Sequence, residues 1–263
     1  MKAVSLLATA MVLAGCGARE QAAITGARPP GPTASERAYQ APPAVAGAVP
    51  LAGGRVVLSG RAAAGARVRV ATPAGELAYA LAGLDGRWRL TLPAASSLRL
   101  FGVSMVAGGR AIQSEGYLAV TPDGDGAQLR AGSGAVVLGS GGGAPRLLAV
   151  DFDSQGVAVV SGTAAPGAAV TVRVDGLSRG QVTADPAGRF SLAIDEPLAA
   201  GDHRLEVSGL GRSAEAEVDI VAPRPFSGPF AAVRAANGWR VDWTTPGGGR
   251  QTTLLLAPAR AAT

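Results

Sequence analysis

Few side chains in this 263-residue chain have the chemistry of a reaction centre. His203 is the only histidine and sits in a Gly201-Asp202-His203 turn. No Gly-x-Ser-x-Gly elbow accompanies it to complete a Ser-His-Asp arrangement. Cys16 is the only cysteine, so no His/Cys cluster exists to hold zinc. Asp123-Gly124-Asp125-Gly126 places two carboxylates at calcium-like spacing. An EF-hand loop would need a third acid and a glycine where Ala127 and Gln128 stand. A tight polar turn and a weak calcium site are the two readings of that segment. Gly139-Ser140-Gly141-Gly142-Gly143-Ala144 has the spacing of a dinucleotide loop, but Pro145 and a strand-like run follow it. The helix whose N-terminus would meet a pyrophosphate is missing. Trp239, Val241 and Trp243 alternate with Arg240 and Asp242, which puts both rings on one strand face. Such a face is either core or a flat platform for a sugar ring. Trp239 and Trp243 are therefore the candidate binding residues. No catalytic residue, cofactor or resident metal emerges, and the expectation is a protein that is not an enzyme.

The elements that would position these groups are short strands. Val57-Leu58-Ser59-Gly60 recurs as Val159-Val160-Ser161-Gly162, and Gly86-Arg87-Trp88-Arg89-Leu90 recurs as Gly188-Arg189-Phe190-Ser191-Leu192. Both pairs are 102 residues apart. Within each copy the apolar period is two. Val68 and Val70 alternate with Arg67 and Arg69, and Trp88, Leu90 and Leu92 alternate with Arg87, Arg89 and Thr91. Alternation of this kind marks antiparallel strands with one buried face. Turn signals separate the strands, including Asp85-Gly86, Asp175-Gly176 and Asp185-Pro186. Asp151-Phe152-Asp153 reads as a strand with Phe152 inward and both carboxylates outward. Near the C-terminus, Asn237-Gly238 is a hairpin signal inside a three-stranded meander that should pack on a neighbouring module.

The N-terminus carries Lys2, an apolar run from Ala3 to Val12, and Leu13-Ala14-Gly15-Cys16. That run is too short to span a bilayer as a helix, which takes about 20 residues. The arrangement resembles a bacterial lipoprotein signal peptide. The resemblance implies cleavage before Cys16, lipidation of its sulfur and anchoring in a membrane. Gly17, which is not an aspartate, implies the outer membrane. A periplasm-facing protein is expected, with cell-surface exposure as the alternative. Residues 17–50 are rich in Ala, Pro and Gly without a hydrophobic period and read as a disordered tether. The formal net charge is +5. Its arginines are scattered singly rather than clustered with aromatics, which argues against nucleic acid as a partner.

Ser161-Gly162, Pro166-Gly167-Ala168-x-Val170-x-Val172, Asp185 and Gly188-x-Phe190-x-Leu192, with their first-copy counterparts, resemble bacterial immunoglobulin-like modules of envelope proteins. The Cys-Trp-Cys core of antibody domains is absent, and Ala64 stands where the second copy has Pro166. The resemblance implies a β-sandwich used as spacer, binding surface or adhesion unit, with no shared catalytic residues. The expected fold is all-β, with two tandem Ig-like β-sandwiches and a C-terminal β-meander after the tether. The expected divisions are a signal peptide at 1–15, the lipidated tether at 16–50 and the first module at 51–122. A Gly-rich linker with strands at 123–154, the second module at 155–223 and the meander at 224–263 complete the chain. The expected role is a lipid-anchored envelope protein presenting these modules to an envelope protein partner. Binding of cell-wall glycan through the Trp239/Trp243 face is the alternative.

Overall fold

The computed structural model describes residues 39–257 except Ser140, Gly142 and Arg224. Cys16, the 1–15 segment and most of the 16–50 stretch lie outside the described residues. All the described strands belong to one compact unit within 40–263. The protein is all-β. Its one described helical element is a single 3₁₀ turn at Ala52–Gly54, and among the described residues no helix is long and apolar enough to cross a membrane.

The first sandwich comprises β1 (Ala44–Pro50), β2 (Val56–Arg61), β3 (Arg67–Ala71), β4 (Leu77–Leu81), β5 (Arg87–Leu92), β6 (Arg99–Ala107) and β7 (Arg110–Gln113). One layer has the order β1-β2-β5, and the other runs β4-β3-β6 with β7 also on β6. Strand β6 serves two sheet regions. Its later residues pair with β3 and β7, while Arg99, Leu100 and Phe101 pair with β8 (Tyr117–Val120). Beyond β8 lie β9 (Gly126–Leu129) and β10 (Val136–Val137), so the sheet extends past the edge of its own sandwich.

The second sandwich repeats the plan with β11 (Arg146–Asp153), β12 (Ala158–Thr163), β13 (Ala169–Val174), β14 (Leu177–Thr183), β15 (Arg189–Ile194), β16 (Gly201–Gly209) and β17 (Arg212–Ile220). Its four-stranded layer is β14-β13-β16-β17. The meander of β18 (Phe230–Ala235), β19 (Gly238–Thr244) and β20 (Arg250–Leu256) does more than pack on this module. Strand β20 hydrogen-bonds to β11, giving a six-stranded sheet β15-β12-β11-β20-β19-β18.

Three apolar clusters result. Two fill the sandwiches, around Leu58, Val68 and Phe101 in the first and Val160, Val172 and Leu205 in the second. The third joins Leu100, Ala119 and Leu129 of the extended first sheet to Ala149, Val241, Trp243 and Leu255 of the six-stranded sheet. The central strands of that sheet, β11, β20 and β19, are therefore covered on both faces.

This arrangement differs from the expected divisions at three points. Strand β1 lies within the stretch read as tether; Val45 and Ala48 are buried and the strand pairs with β2. A bulge between Val45 and Gly47 breaks its alternation, so the two inward side chains stand three residues apart amid small ones. The 123–154 stretch carries strands, as expected, and they are shared between the modules: β9 and β10 extend the first module's sheet and β11 is central in the second. Asp151, expected on an exposed face, is 1% exposed, as is Phe152. Period-two alternation loses its meaning on a strand buried on both sides.

The Ser-Gly motif of the repeat has a packing cause. Gly60 pairs with Trp88, and Gly162 with Phe190. A Cβ on Gly162 would lie 2.0 Å from the Arg146 carbonyl oxygen and 2.6 Å from the Phe190 ring. On Gly60 it would meet the Ala44 carbonyl and the Trp88 ring in the same way. An aromatic ring lying across the neighbouring strand thus excludes any side chain. Ala44 and Arg146 hold corresponding places, so the repeat begins with β1 and β11. Gly162→Ala is expected to lower stability by about 3 kcal/mol, since a strand backbone and a ring must both give way. Gly247→Ala, with nothing within 4 Å of the new Cβ, should shift the urea midpoint negligibly.

Candidate functional site

The residues of chemical interest gather where the extended first sheet meets the six-stranded sheet. Asn237 and Gly238 set the turn that feeds β19, and alternation then aims Trp239, Val241 and Trp243 at the first module. Trp243 is fully buried. Its ring meets Tyr117 edge-on, with centroids 5.8 Å apart and planes at 84°. Its indole Nε1 donates to Thr253 Oγ1 at 3.0 Å. The two tryptophans therefore do not form a shared open platform. Trp243 is core, and only Trp239, partly buried at the rim, reaches solvent.

Trp239 lines a cleft of about 340 Å³ together with Asp123, Asp125, Arg146, Arg234 and Leu148. Its Nε1 is buried and meets no acceptor among the described residues. The Arg234 guanidinium lies over its ring, 5.4 Å from the centroid, and donates to Asp123 Oδ2 at 2.8 Å. That contact ties β18 to the acidic turn of the first module. The turn itself closes through Gly124 N–H to the Thr121 carbonyl at 3.0 Å and Asp125 N–H to Thr121 Oγ1 at 3.1 Å. Burial, then the neighbouring Asp123 charge, push the Asp125 carboxyl above its usual range, and Arg234 opposes them. Among the described residues no three His, Cys, Asp or Glu side chains come together as a metal ligand set.

The opposite face of β19 holds Arg240 and Asp242. Arg240 Nε bonds both Asp242 oxygens at 3.1 Å, and its Nη2 reaches the Val221 carbonyl at 2.7 Å. Thr252 Oγ1 donates to Asp242 Oδ1 at 2.5 Å. These charges are paired inside the second module rather than exposed, because that face of the meander also packs against the sandwich.

Sequence reasoning missed Asp151 as a junction residue. Its Oδ2 accepts the Ala135 N–H at 2.7 Å, and its Oδ1 accepts Thr253 Oγ1–H at 2.5 Å and the Gln251 amide at 3.2 Å. Gln251 also accepts the Gly132 N–H at 3.3 Å, and Ser191 Oγ donates to the Ser133 carbonyl at 2.9 Å. The loop leaving β9 is thereby fastened to the second module. Desolvation raises the Asp151 carboxyl to about 6, against the lowering effect of its hydrogen bonds. The available signal was an acid within the otherwise apolar run Leu147–Phe152.

His203 lies at the start of β16 rather than in a turn. Its Nδ1 is 2.7 Å from Asp175 Oδ2 and its Nε2 is 2.9 Å from the Ala199 carbonyl. The Asp175 bond raises the imidazole's pKa, and the carboxyl is correspondingly lowered. Among the described residues no serine hydroxyl bonds to it; the contacts brace the β13–β14 turn against β16.

No curated protein sequence matches the chain. Among solved structures it is similar to a biofilm-associated protein BSP domain at 19% identity and TM-score 0.25, over 70% of this chain and 30% of that one. The chain thus spans under a third of that structure. It is also similar to the central fibronectin-III array of RIM-binding protein at 14% identity and TM-score 0.26, over 82% of this chain and 88% of that one. The chicken interferon gamma receptor alpha chain aligns at 13% identity and TM-score 0.23, over 69% of this chain and 99% of that one. Over the second sandwich, residues 144–218 match the sequence model of the bacterial Ig domain family, and that match begins ahead of β11, where the structure opens the module.

Proposed function

We propose that this is a non-catalytic envelope protein, anchored through lipid on Cys16, whose two fastened sandwiches present surfaces to a protein partner. The carrying observation is the use made of its reactive side chains. Asp151, Asp242 and His203 are all engaged in bracing strands against one another, which is scaffold work. The Leu13-Ala14-Gly15-Cys16 sequence supports the anchor, and Gly17, which is not an aspartate, supports an outer-membrane address, taken here as periplasm-facing. Fatty-acid labelling and mass spectrometry test the anchor: the native chain should carry acyl chains on Cys16, and Cys16→Ala should leave the membrane fraction. An unmodified thiol on Cys16 sinks it. Pull-down from detergent-solubilised membranes should return a stoichiometric protein.

Glycan binding is a second reading, favoured by one observation: the Trp239 indole N–H has no acceptor among the described residues, and Trp239 shares its cleft with Asp123, Asp125 and Arg234. It rests on Trp239 alone, since Trp243 is enclosed. Retention on purified peptidoglycan that Trp239→Ala abolishes, with the protein still folded at the assay temperature, would decide for it.

A further inference from the structure

The two sandwiches treat corresponding edges differently, and that contrast marks a surface. In the second module the edge strand β14 is defended. It carries Arg179, paired with Glu196, then Gly180 and Gln181, and its register with β13 breaks at a bulge between Val172 and Arg173. Charge and bulge are the devices that keep an edge from pairing with another chain. In the first module the corresponding edge is β4, Leu77-Ala78-Tyr79-Ala80-Leu81. It has no charge, glycine or proline, and its register with β3 is unbroken.

The ladder direction adds a second observation. Ala82 N–H donates to the Ala66 carbonyl and Thr72 N–H to the Glu76 carbonyl, each at 2.9 Å. Antiparallel pairing alternates, so even-numbered residues of β4 bond to β3. The N–H and C=O groups of Leu77, Tyr79 and Leu81 are left facing the open side. Among the described residues no strand lies beyond them, because β4 ends its sheet. Their side chains are 48%, 43% and 72% exposed, a large apolar exposure for one short strand.

The occupant follows from the order of residues. Leu-Ala-Tyr-Ala-Leu reads identically in both directions. Antiparallel pairing with a second copy about an axis through Tyr79 sets Tyr79 opposite Tyr79 and Leu77 opposite Leu81. Every outward backbone donor then finds an acceptor, and no charge opposes another within the paired strands. An isologous contact needs this self-complementarity. Arg67, whose guanidinium rests 3.8 Å from the Tyr79 ring centre, covers the ring face and leaves the edge open. We propose that β4 is a homodimerisation strand that joins two copies of this chain into one continuous sheet. A single-strand contact is small, so the association is of the weak class. Confinement of both copies to one membrane would favour it through effective concentration.

Sedimentation of the full chain in density-matched detergent, up to about 100 μM to cover weak affinities, tests this. The native chain should reach twice the monomer mass. Tyr79→Lys places two ammonium groups across the axis and should return the monomer with an unchanged circular dichroism spectrum. Gln181→Lys, at the corresponding place in the second module, should leave the dimer intact. Should Tyr79→Lys unfold, Leu81→Lys at the more exposed position replaces it. A native chain that stays monomeric throughout, a dimer that survives the lysine at the β4 edge, or a dimer lost equally in Gln181→Lys overturns the proposal.

Discussion

Asp151→Ala should destabilise the protein by about 3–4 kcal/mol. The change strands the Ala135 N–H, the Thr253 hydroxyl and the Gln251 amide in a buried site, each losing its acceptor. Asp151→Asn keeps an acceptor and removes the charge, and it isolates the titration. The folded-state value of about 6 lies above the ordinary carboxyl value of 3.8. The folded protein therefore holds the proton longer than the unfolded chain. The group's stabilising contribution is fully present below the unfolded value and is lost as pH rises through the folded one. Urea midpoints should show the native chain losing stability relative to Asp151→Asn from about pH 4 to above pH 6. The loss should total roughly 3 kcal/mol for a displacement of this size. Other titrating groups, Asp125 among them, are common to both proteins and cancel in the difference. Parallel pH profiles would show that Asp151 is not the buried acid described here.

Trp243→Ala is expected to remove about 3–5 kcal/mol, the range for emptying a large aromatic site in a core. The void would open between the modules, beside Tyr117 and Val241. Hydrogen exchange should therefore rise at β8, β9, β19 and β20, while the sandwich interiors around Val68 and Val172 stay protected. Trp239→Ala should cost far less, about 1 kcal/mol, because its ring is only half-enclosed and its N–H has no acceptor among the described residues to lose. Equal losses from the two variants would mean that both rings belong to one core, and would also end the case for Trp239 as a ligand contact.

The part of the fold legible in the sequence is the part with one buried face. Val68, Val70, Trp88 and Leu92 alternate with polar neighbours because their strands meet water on one side, and the structure buries all four. The repeat was legible for a related reason: Gly60 with Trp88 and Gly162 with Phe190 are paired by a steric requirement that fixes residue type. Strand β1 was not legible, and β11 was legible as a strand but not as a member of the second module's sheet. In β1 the inward side chains are Val45 and Ala48, set out of alternation by a bulge amid other small residues, so the pattern carries little contrast. In β11 both faces are apolar except for Asp151, and the pattern has no contrast to carry.

The candidate site divides along the same line. Alternation alone put Trp239 and Trp243 on one face and Arg240 and Asp242 on the other, as the strand shows. Which face would be covered, and by what, depends on Leu100, Leu129 and Tyr117, more than a hundred residues away in the chain. Likewise Asp151 looks like a solvated acid until Ala135, Gln251 and Thr253 close around it.

Local chemistry determined that the chain forms short antiparallel strands in two related copies. Tertiary structure alone decided that the meander joins the second module's sheet, that Trp243 is interior while Trp239 meets solvent, and that β4 is left open where β14 is guarded. Strand formation follows from side-chain period and turn residues, which neighbours in sequence share. Coverage of a face or an edge follows from which distant segments arrive there, and no local pattern encodes their arrival.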